Sequence, residues 1–417
     1  MSFDTYAALL SWLFAARRAG MDFDLSRVGN ALHRLGDPQD QFVARVHIAG
    51  TNGKGSVAGF TEALVRRAGL RTGVFTSPHL SRFCERFAID GMPADEALIL
   101  DAGRRLAAVM VDDERLTFFE RATAIALCVF AAAKVEVCVL EVGLGGRLDA
   151  TNVVAAEVGV VASIARDHEQ FLGNTLVDIA REKAGIFKPG QRVVISAANR
   201  DDIVSFFVNE AETRGAASVQ VAPPCDWPLG MRGDHQRYNA GCALAVADQL
   251  EALGVLALAE TERKAAVAEA SVAGRFETVA TAPTIIVDGA HNAHAAQALA
   301  NALAELYADR RVIAIVAVSE GKDAATILRL LASAADDLIV TRYGQPRAIA
   351  PERLAAMASG LVEPVVEADI EVAVARARAM AAADDVIVIA GSLFLVGEAR
   401  QLIAGVPADP LVVQDPV

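Results

Sequence analysis

The segment from Val46 to Val57 constrains the fold of this chain more than any other. It reads Val-His-Ile-Ala-Gly-Thr-Asn-Gly-Lys-Gly-Ser-Val, in which an apolar run predicts a strand and a glycine-rich turn leads into a predicted helix. Such a turn directs backbone N–H groups and the helix N-terminus at one point, where phosphate oxygens bind. We therefore expect ATP here, with Lys54 reaching the β- and γ-phosphates. The expected ATP-binding residues of the turn are Gly50, Thr51, Asn52, Gly53, Lys54, Gly55 and Ser56.

The match to the P-loop pattern G-x-x-x-x-G-K-[ST] is imperfect. Ile48 stands at the position of the first glycine, and Gly55 separates Lys54 from Ser56. A glycine-rich turn beside a solvated lysine is the alternative interpretation of this segment taken alone. The neighbouring motifs favour the phosphate loop.

Short β-branched runs alternate with Ala- and Leu-rich stretches along the chain. This alternation predicts the α/β class, with helices on both faces of a mostly parallel sheet. Ligands of open α/β sheets bind beyond the carboxyl ends of the strands, where several predicted strands run into loops rich in Gly, Asp or His. The predicted elements are the strands 43–49, 135–140, 158–164 and 192–196 and the helices 57–68 and 121–133.

A second α/β series begins after Ala280, where Thr-Ala-Pro-Thr precedes a predicted strand at 285–287. We therefore predict two domains, residues 1–280 and residues 281–417, the second being a smaller doubly wound domain. A length of 417 residues agrees with two or three domains of about 150 residues each. The further strands predicted in this series are 312–318, 338–341 and 386–390.

Charge and composition exclude several classes of protein. The chain has 39 Lys and Arg against 52 Asp and Glu, a formal net charge of −13, which disfavours binding to nucleic acid. Hydrophobic residues at 53% and charged residues at 22% are typical of a folded globular protein. The N-terminal residues do not resemble a secretory signal, and the apolar stretch 122–133 is shorter than the roughly 20 residues of a membrane span. No membrane partner is expected.

The five cysteines are an odd number without a C-x-x-C pair, which argues against a disulfide framework and against a structural zinc site. We interpret them as reduced core residues of a cytoplasmic protein. None needs a catalytic role.

A second motif begins at the end of the predicted strand 135–140. It reads Glu141-Val-Gly-Leu-Gly-Gly-Arg-Leu-Asp-Ala-Thr-Asn152. A carboxylate at the carboxyl end of a strand, beside a phosphate loop, stands where a magnesium ligand is needed, and the glycines allow the backbone to approach a substrate closely. An ordinary acidic residue followed by a tight turn is the alternative.

These two motifs and others that follow in order carry a resemblance. Together they resemble the folylpolyglutamate synthase and dihydrofolate synthase family, which belongs to the Mur-type ligases. The resemblance covers most of the chain and implies a P-loop Mur-ligase-type ATPase domain with a smaller Rossmann-like, glutamate-ligase C-terminal domain. The other motifs are Thr76-Ser-Pro-His-Leu80, Arg181-Glu-Lys-Ala-Gly-Ile-Phe-Lys-Pro189, Asp234-His-Gln-Arg-Tyr-Asn239, Gly274-Arg-Phe-Glu277, Asp288-Gly-Ala-His-Asn292 and Gly391-Ser-Leu-Phe-Leu-Val-Gly-Glu398.

The resemblance implies two magnesium ions that bridge the ATP phosphates and the acyl substrate. Magnesium prefers oxygen donors and keeps several waters, so the imidazole of His168 is the unusual ligand. A hydrogen-bonded surface histidine is the alternative for His168 on the sequence alone. The implied metal ligands are Ser77, Glu141 and His168, with Ser56 near the loop.

The resemblance also implies that Lys183 is carbamylated, because CO₂ converts the matching lysine into an anionic carbamate that supports the second metal ion. Only a neutral amine reacts with CO₂, so burial or nearby cations must lower the pKa of Lys183 from about 10.4. A helix-surface lysine is the alternative. Lys54, Lys183 and His168 are the implied catalytic residues.

Asn239, Arg275 and Asp288 match nucleotide-contacting positions of the family. We expect Asp234 to cap the helix that carries Asn239, and we expect an active site between the two domains, because Arg275 and Asp288 flank the predicted boundary. The chain departs from the family pattern at Ala273, where proline is usual, and at 319–323, which matches the usual Asp-Lys-Asp neighbourhood only in part.

Further residues are implied to bind the acyl acid or glutamate. His291 is expected to orient a nucleotide or glutamate group, whereas His294 is interpreted as an exposed helix residue rather than a metal ligand. A pair of phenylalanines is usually core, although one ring stacking on a pterin also fits. The implied substrate-binding residues are Thr117, Phe118, Phe119, Glu120, Leu148 and His291.

The resemblance implies an ATP-dependent amide ligase that adds L-glutamate to dihydropteroate and to reduced folates through an acyl phosphate. A single-activity folylpolyglutamate synthase, a Mur-type ligase of peptidoglycan precursors and a P-loop nucleotide switch are the alternatives. We expect a monomer with a hinge near Ala280. Because all the substrates are anions and the chain is acidic, Lys54, Arg147 and Arg275 are expected to make the cleft locally positive.

Overall fold

The structure, a computed structural model, describes residues 3–16, 24–111, 116–360 and 362–409. Its strands form two sheets. The strands are β1 (Ala44–Ala49), β2 (Thr72–Phe75), β3 (Phe87–Ile89), β4 (Met92–Pro93), β5 (Val137–Glu141), β6 (Val158–Val161), β7 (Arg192–Ser196), β8 (Ser218–Ala222), β9 (Glu277–Thr281), β10 (Thr284–Val287), β11 (Val312–Val316), β12 (Asp337–Val340), β13 (Val365–Val366) and β14 (Val386–Ala390).

Helices cover both sheets. They are α1 (Tyr6–Ala15), α2 (Leu25–Arg34), α3 (Lys54–Arg67), α4 (Glu96–Val109), α5 (Phe118–Ala132), α6 (Glu169–Leu172), α7 (Leu176–Ala184), α8 (Asp201–Thr213), α9 (His235–Ala252), α10 (Glu260–Glu269), α11 (Ala293–Leu306), α12 (Ala324–Ala332), α13 (Pro351–Ala358), α14 (Ile370–Met380) and α15 (Leu393–Ala404). Within the described ranges, no helix is long and apolar enough to cross a membrane.

The first sheet has the strand order β4-β3-β2-β5-β1-β6-β7-β8. All neighbours from β2 to β8 are parallel, and β3 and β4 add an antiparallel hairpin at one edge. The predicted α/β class is confirmed. β1 lies between β5 and β6, so the loops that follow these three strands meet at one edge of the sheet.

The predicted strand 192–196 has its expected bounds, whereas the strand predicted over 158–164 ends at Val161. The chain turns there because the main chain of Ser163 pairs with the phosphate loop: the N–H of Thr51 donates to the oxygen of Ser163 at 2.7 Å. The apolar residues Ala162, Ile164 and Ala165 are buried in this turn rather than in a strand.

The second sheet has the order β13-β12-β11-β14-β10-β9. Its strands are parallel except β9, which pairs with β10 in the antiparallel direction. Strand β9 begins at Glu277 and so lies largely before the boundary predicted after Ala280. We propose that the second domain begins before β9, because β9 is hydrogen-bonded to the second sheet.

Side chains alternate between the two faces of β1, as in any strand. Val46 and Ile48 pack into the core that includes residues of α3 and α9, so His47 faces the opposite side of the sheet. Val142, Ala180 and Phe187 belong to a separate core under α7 and α8. The strand and the helix that flank the phosphate loop, and α7, are thus each held by apolar contacts with the sheet.

Candidate active site

The phosphate loop connects β1 to α3 and is held by hydrogen bonds between its own residues. The ammonium of Lys54 donates to the main-chain oxygens of Gly50 and Thr51 at 3.1 and 3.3 Å. Gly53 has a φ of 84°, and a Cβ atom there would lie 2.3 Å from Oδ1 of Asn239. Only glycine tolerates both the backbone conformation and this contact, which brings the expected ATP-binding residues Gly53 and Asn239 together.

Glu141 ends β5 and is buried beside the phosphate loop. Its carboxylate accepts from the N–H of Ser77 at 3.2 Å and lies 4.0 Å from Nζ of Lys54. Burial raises the pKa of Glu141, and the charges of Lys54 and Arg275 offset part of that effect. The predicted pair Ser77 and Glu141 is therefore adjacent in the structure.

Arg275 joins this group from the segment between the sheets. A Cβ atom at Gly55 would lie 3.7 Å from Nη2 of Arg275 and 3.8 Å from a carboxylate oxygen of Glu141. The start of α3 thus faces a carboxylate flanked by two cations, Lys54 and Arg275. This charge arrangement suits a metal ion and an anionic phosphate chain.

Lys183 lies on α7 and is buried. Its ammonium donates to the main-chain oxygen of Gly50 at 2.9 Å. Burial first, and then the charge of Lys54, lower the pKa of Lys183 to about 7. A large fraction of the amine is therefore neutral near pH 7, which meets the chemical condition for reaction with CO₂.

His168 follows β6 and has a left-handed backbone, with a φ of 51°. Burial, and to a lesser degree the charges of Lys322, Lys54 and Lys183, lower the pKa of His168 to about 4, while Asp167 opposes this. The imidazole is therefore neutral and able to act as a ligand. In the described part of the chain, no hydrogen bond or ion pair joins His168 to Glu141, so the structure places His168 near the lysines rather than against that carboxylate.

The donor set fits magnesium. Among the residues that the structure describes, no three His, Cys, Asp or Glu side chains cluster to hold a metal ion. A site at Glu141 would therefore combine one carboxylate with serine oxygens, phosphate oxygens and water, as magnesium commonly does. Ser56 follows Gly55 in the chain, and the main-chain N–H of Ser77 donates to Glu141, so these two serines are the hydroxyl-bearing residues closest to this carboxylate in sequence or by contact.

The residues expected to contact the nucleotide lie on segments next to both sheets. The carboxylate of Asp288 accepts from the N–H groups of Phe276 and Ala290, each at 2.8 Å. Asp234 occupies the N-cap position of α9 but makes no cap hydrogen bond, because its carboxylate accepts from Arg237 instead. The expected capping role of Asp234 is therefore wrong.

Two Mur ligase domains match the chain. The Mur ligase middle domain matches residues 48–223, and the Mur ligase glutamate ligase domain matches residues 274–393. The dihydrofolate synthase/folylpolyglutamate synthase of Escherichia coli is 34% identical over 95% of this chain and 95% of that protein. This chain belongs to the dihydrofolate synthase/folylpolyglutamate synthase family. The resemblance drawn from the motifs is confirmed.

Solved structures of this family share the fold. The chain is 31% identical to E. coli FolC in complex with DHPP and ADP, with a TM-score of 0.87 over 96% of this chain and 98% of that one. It is 33% identical to the bifunctional folylpolyglutamate synthase/dihydrofolate synthase of Yersinia pestis with Mn, AMPPNP and L-glutamate bound, with a TM-score of 0.82 over 94% and 97%. The chain spans about half the length of two longer archaeal relatives, from Halobacterium salinarum and Haloferax volcanii.

Within this family of synthases, the segment expected to bind the acyl acid has a clear local role. Thr117 and Glu120 form a capping box at the start of α5: the N–H of Thr117 donates to Glu120 at 2.6 Å, and the N–H of Glu120 donates to the hydroxyl of Thr117 at 3.3 Å. Phe118 is buried, with its ring 4.7 Å from that of Phe14. Phe119 is only partly buried, so it is the member of this segment best placed to contact a substrate.

Phe119 faces the glycine-rich segment after β5. A Cβ atom at Gly143 would lie 2.5 Å from Cζ of Phe119. Leu148, on the same segment, is partly buried. Arg147 is half exposed and pairs with Glu182 at 3.0 Å, so a carboxylate offsets part of its charge. Its expected contribution to a positive cleft stays a prediction.

The second domain contacts the phosphate loop directly. Nδ2 of Asn292 donates to Oδ1 of Asn52 at 2.9 Å, and Nδ2 of Asn52 contacts Nδ1 of His294 at 3.0 Å. His294 is exposed, as expected, but it also touches the loop. Nε2 of His291 lies 3.8 Å from Asp167.

The sequence interpretation missed Asp167 and Lys322. The ammonium of Lys322, which lies between β11 and α12, donates to Asp167 at 2.6 Å. Burial alone would raise the pKa of Asp167, but the charge of Lys322 holds it well below its usual range. Asp167 precedes the candidate metal ligand His168, and Lys322 lies in the segment 319–323 that matches the family pattern only in part. Both residues therefore stand next to positions that the sequence analysis had already selected.

We expect Lys322→Met to weaken the contact between the domains. Without Lys322 the partly buried carboxylate of Asp167 would lose its hydrogen-bonded cation, which destabilises the contact between the domains. Turnover should fall about 10-fold or more, equivalent to about 1.4 kcal/mol or more, and small-angle scattering should give a larger radius of gyration. Lys264→Met, which removes an exposed pair with Glu260, is the control. Unchanged turnover and an unchanged radius for Lys322→Met would contradict this expectation.

A cavity of about 570 Å³ lies between the domains beside the segment that follows Ser77. His79, Leu80 and Ser81 line it from the first domain. Phe394 and Glu398, both on α15, line it from the second domain. The segment after α15 returns to the first domain, where the carboxylate of Asp409 accepts from the N–H of Phe83 at 2.7 Å. The cavity therefore has walls from both domains and the size of a small-molecule site.

Proposed function

We propose that the chain is an ATP-dependent amide ligase that adds L-glutamate to dihydropteroate and to the γ-carboxyl of reduced folates. The single observation that carries this proposal is the convergence of Lys54, Glu141 and Arg275 around Gly55, at the start of α3. Membership of the family and the ligands named for its solved structures support ATP, a divalent metal ion, an acyl acid and glutamate as the small molecules bound.

The proposed reaction activates a carboxylate before an amine attacks it. A free carboxylate is a poor acyl donor because its leaving group would be oxide. Transfer of the γ-phosphoryl group from ATP gives an acyl phosphate and ADP, and the amine of glutamate then displaces phosphate to form the amide. No side-chain nucleophile is needed, which agrees with five free and buried cysteines.

Each residue of the site has a role in this scheme. Lys54 and the N–H groups of the loop bind the β- and γ-phosphates, while Asn239 and Asp288 support the nucleotide from both domains. Arg275 stabilises the phosphate charge next to Glu141. Because this charge develops in a largely buried site, each cation acts more strongly than it would in water.

We propose that Ser77, Glu141, His168 and Ser56 hold magnesium, with two ions in the complete site. A bound ion neutralises negative charge on the phosphates and the acyl oxygen. The hydrogen bond between the N–H of Ser77 and Glu141 supports this assignment for those two residues. The assignment of His168 as a ligand is supported by the family resemblance and by its neutral imidazole.

We also propose that Lys183 is carbamylated. The support is its burial, its lowered pKa and its position against the main chain of Gly50 in the phosphate loop. Conversion of the amine to a carbamate replaces a buried cation by an anion beside Lys54 and the metal site. That change of sign removes a repulsion between Lys183 and Lys54.

The decisive experiment supplies dihydropteroate and tetrahydrofolate separately, each with labelled glutamate, ATP and magnesium. We expect a labelled amide, ADP and phosphate in equal amounts with each acid. Product from only one acid would identify a single-activity synthase. ATP hydrolysis that needs neither acid would contradict the proposal and favour a nucleotide switch, and product only from a muramyl peptide would favour a peptidoglycan-precursor ligase.

We propose in addition that the chain works as a monomer in the cytoplasm, with no nucleic acid or membrane partner. The free cysteines and the net charge of −13 support this. Analytical ultracentrifugation tests the oligomeric state.

A further inference from the structure

His47 lies in the middle of β1, on the face opposite Val46 and Ile48, and no function proposed above uses it. The side chain is fully buried. Its Nε2 atom lies 2.7 Å from the hydroxyl oxygen of Thr151, in the short 3₁₀ turn Ala150–Val153. Its other nitrogen, Nδ1, has no hydrogen-bond partner among the residues that the structure describes.

The direction of these hydrogen bonds follows from proton counting. Thr151 has one hydroxyl proton and donates it to the carboxylate of Asp149. The hydroxyl oxygen therefore accepts from His47, whose proton must be on Nε2. Burial, with the charge of Lys188, lowers the pKa of His47 to about 3, so the imidazole is neutral and only Nε2 carries a proton.

Asp149 joins the two ends of the segment 143–149. One carboxylate oxygen accepts from the N–H groups of Gly143 and Leu144 at 3.0 and 2.9 Å, at the start of the segment. The other accepts from the N–H of Thr151 at 3.0 Å and from its hydroxyl, just after the end. The carboxylate thus closes the segment into a loop.

This loop forms surfaces on two sides of the site. Gly143 lies against Phe119, as described above. A Cβ atom at Gly146 would lie 2.8 Å from the main-chain oxygen of Glu182, next to Lys183 on α7. A shift at either end of the loop would change the space beside Phe119 and the packing against α7.

An unpaired buried nitrogen destabilises a fold. A purely apolar side chain at position 47 would avoid that cost, so packing alone does not explain a histidine here. The histidine provides a hydrogen-bond donor to Thr151. Its position is fixed because β1 is hydrogen-bonded to β5 on one side and to β6 on the other.

We propose that His47 and Thr151 are positioning residues for the acyl substrate. They orient the carboxylate of Asp149, and through it they hold the loop 143–149 in the conformation that faces Phe119. The proposal rests on the ligase function proposed above, because the acyl acid is assigned to this side of the site.

The test compares Thr151→Val, which removes the hydroxyl at nearly constant volume, with Thr151→Ser, which keeps it. For Thr151→Val we expect the KM for dihydropteroate to rise about tenfold and the KM for ATP to stay within twofold, because none of the hydrogen bonds of this network involves residues 50–56 of the phosphate loop. Thr151→Ser should restore the native KM. His47→Gln is a milder second variant that can still donate to Thr151, and its KM should rise about threefold.

Hydrogen exchange gives a readout that does not need catalysis. The amides of Gly143 and Leu144 should exchange about tenfold faster in Thr151→Val and at the native rate in Thr151→Ser. If Thr151→Val changed the KM for dihydropteroate and the KM for ATP equally, the proposal would be overturned. Faster exchange with no change in either KM would also overturn it and leave only a structural role for the network. Native protein that makes no amide product would instead contradict the ligase function, while the exchange rates would still report on the loop.

Discussion

Replacing Lys183 by methionine is expected to abolish amide formation and, at the same time, to stabilise the folded protein at neutral pH. The amine is buried 2.9 Å from the main-chain oxygen of Gly50, in the phosphate loop. Methionine keeps the length of the side chain but can neither react with CO₂ nor carry charge. Turnover should fall by a factor of at least about 100, the usual loss when one preorganised charged group is removed from a site. Release of ADP in the presence of both co-substrates measures it.

The effect of Lys183 on stability follows from proton linkage. The folded state lowers its pKa from 10.5 to about 7, so the unfolded chain binds more protons between these two values. The cost of burying this lysine is therefore complete below about pH 7 and is lost as the pH rises toward 10.5, by about 1.4 kcal/mol per pH unit. In buffer freed of CO₂ and bicarbonate, where Lys183 carries an unmodified amine, Lys183→Met should melt at a higher temperature than the native chain at pH 7, and the difference should shrink at pH 9.

Two further measurements separate a carbamate from a simple buried lysine. Removing CO₂ and bicarbonate should lower the turnover of the native chain, and acetate should partly restore Lys183→Ala by supplying a carboxylate in the vacated space. Lys264→Met, on the exposed surface of α10, is the matched control and should change neither turnover nor the pH dependence of melting. Native turnover in Lys183→Met would refute a catalytic role, and the absence of any response to CO₂ or acetate would refute the carbamate.

The sequence predicted most reliably those parts of the site that lie at the ends of parallel strands, where residue type and strand order together determine the position of a side chain. A strand, a glycine-rich turn and a helix in succession predicted the loop around Lys54, and the loop has that form because Gly53 adopts a positive φ that few other residues allow. Glu141 was predicted at the same sheet edge because parallel strands end together. The contact of Glu141 with Ser77 and Lys54 confirms that placement.

Other features depend on distant parts of the chain and could not be predicted from local patterns. The ion pair of Asp167 with Lys322 joins residues 155 positions apart. The lowered pKa of Lys183 arises from burial that only the folded chain creates. Strand β9 lies largely before the boundary predicted after Ala280, and its antiparallel pairing with β10 across the turn at 282–283 is a contact that the local pattern did not reveal.

Replacing Glu141 by glutamine is expected to have an effect of similar size through the metal ion. Glutamine keeps the shape and can still accept from the N–H of Ser77, but it removes the negative charge beside Lys54 and Arg275. We expect turnover to fall about 100- to 1,000-fold, as when a preorganised electrostatic group is lost. The magnesium concentration needed for half-maximal activity should rise at least about tenfold, because Glu141 is the carboxylate among the residues proposed to hold the ion.

The matched control is Glu62→Gln on α3. Glu62 is also buried, and its carboxylate pairs with Arg66 at 2.8 Å, away from the phosphate loop. Both variants replace a buried carboxylate by an amide, so both should lower the melting temperature. Only Glu141→Gln should change the dependence on magnesium, while ADP binding by calorimetry should persist in both. If the two variants required the same magnesium concentration as the native chain, Glu141 would be a structural partner of Lys54 and Ser77, and the metal ion would have to bind elsewhere along the phosphate loop.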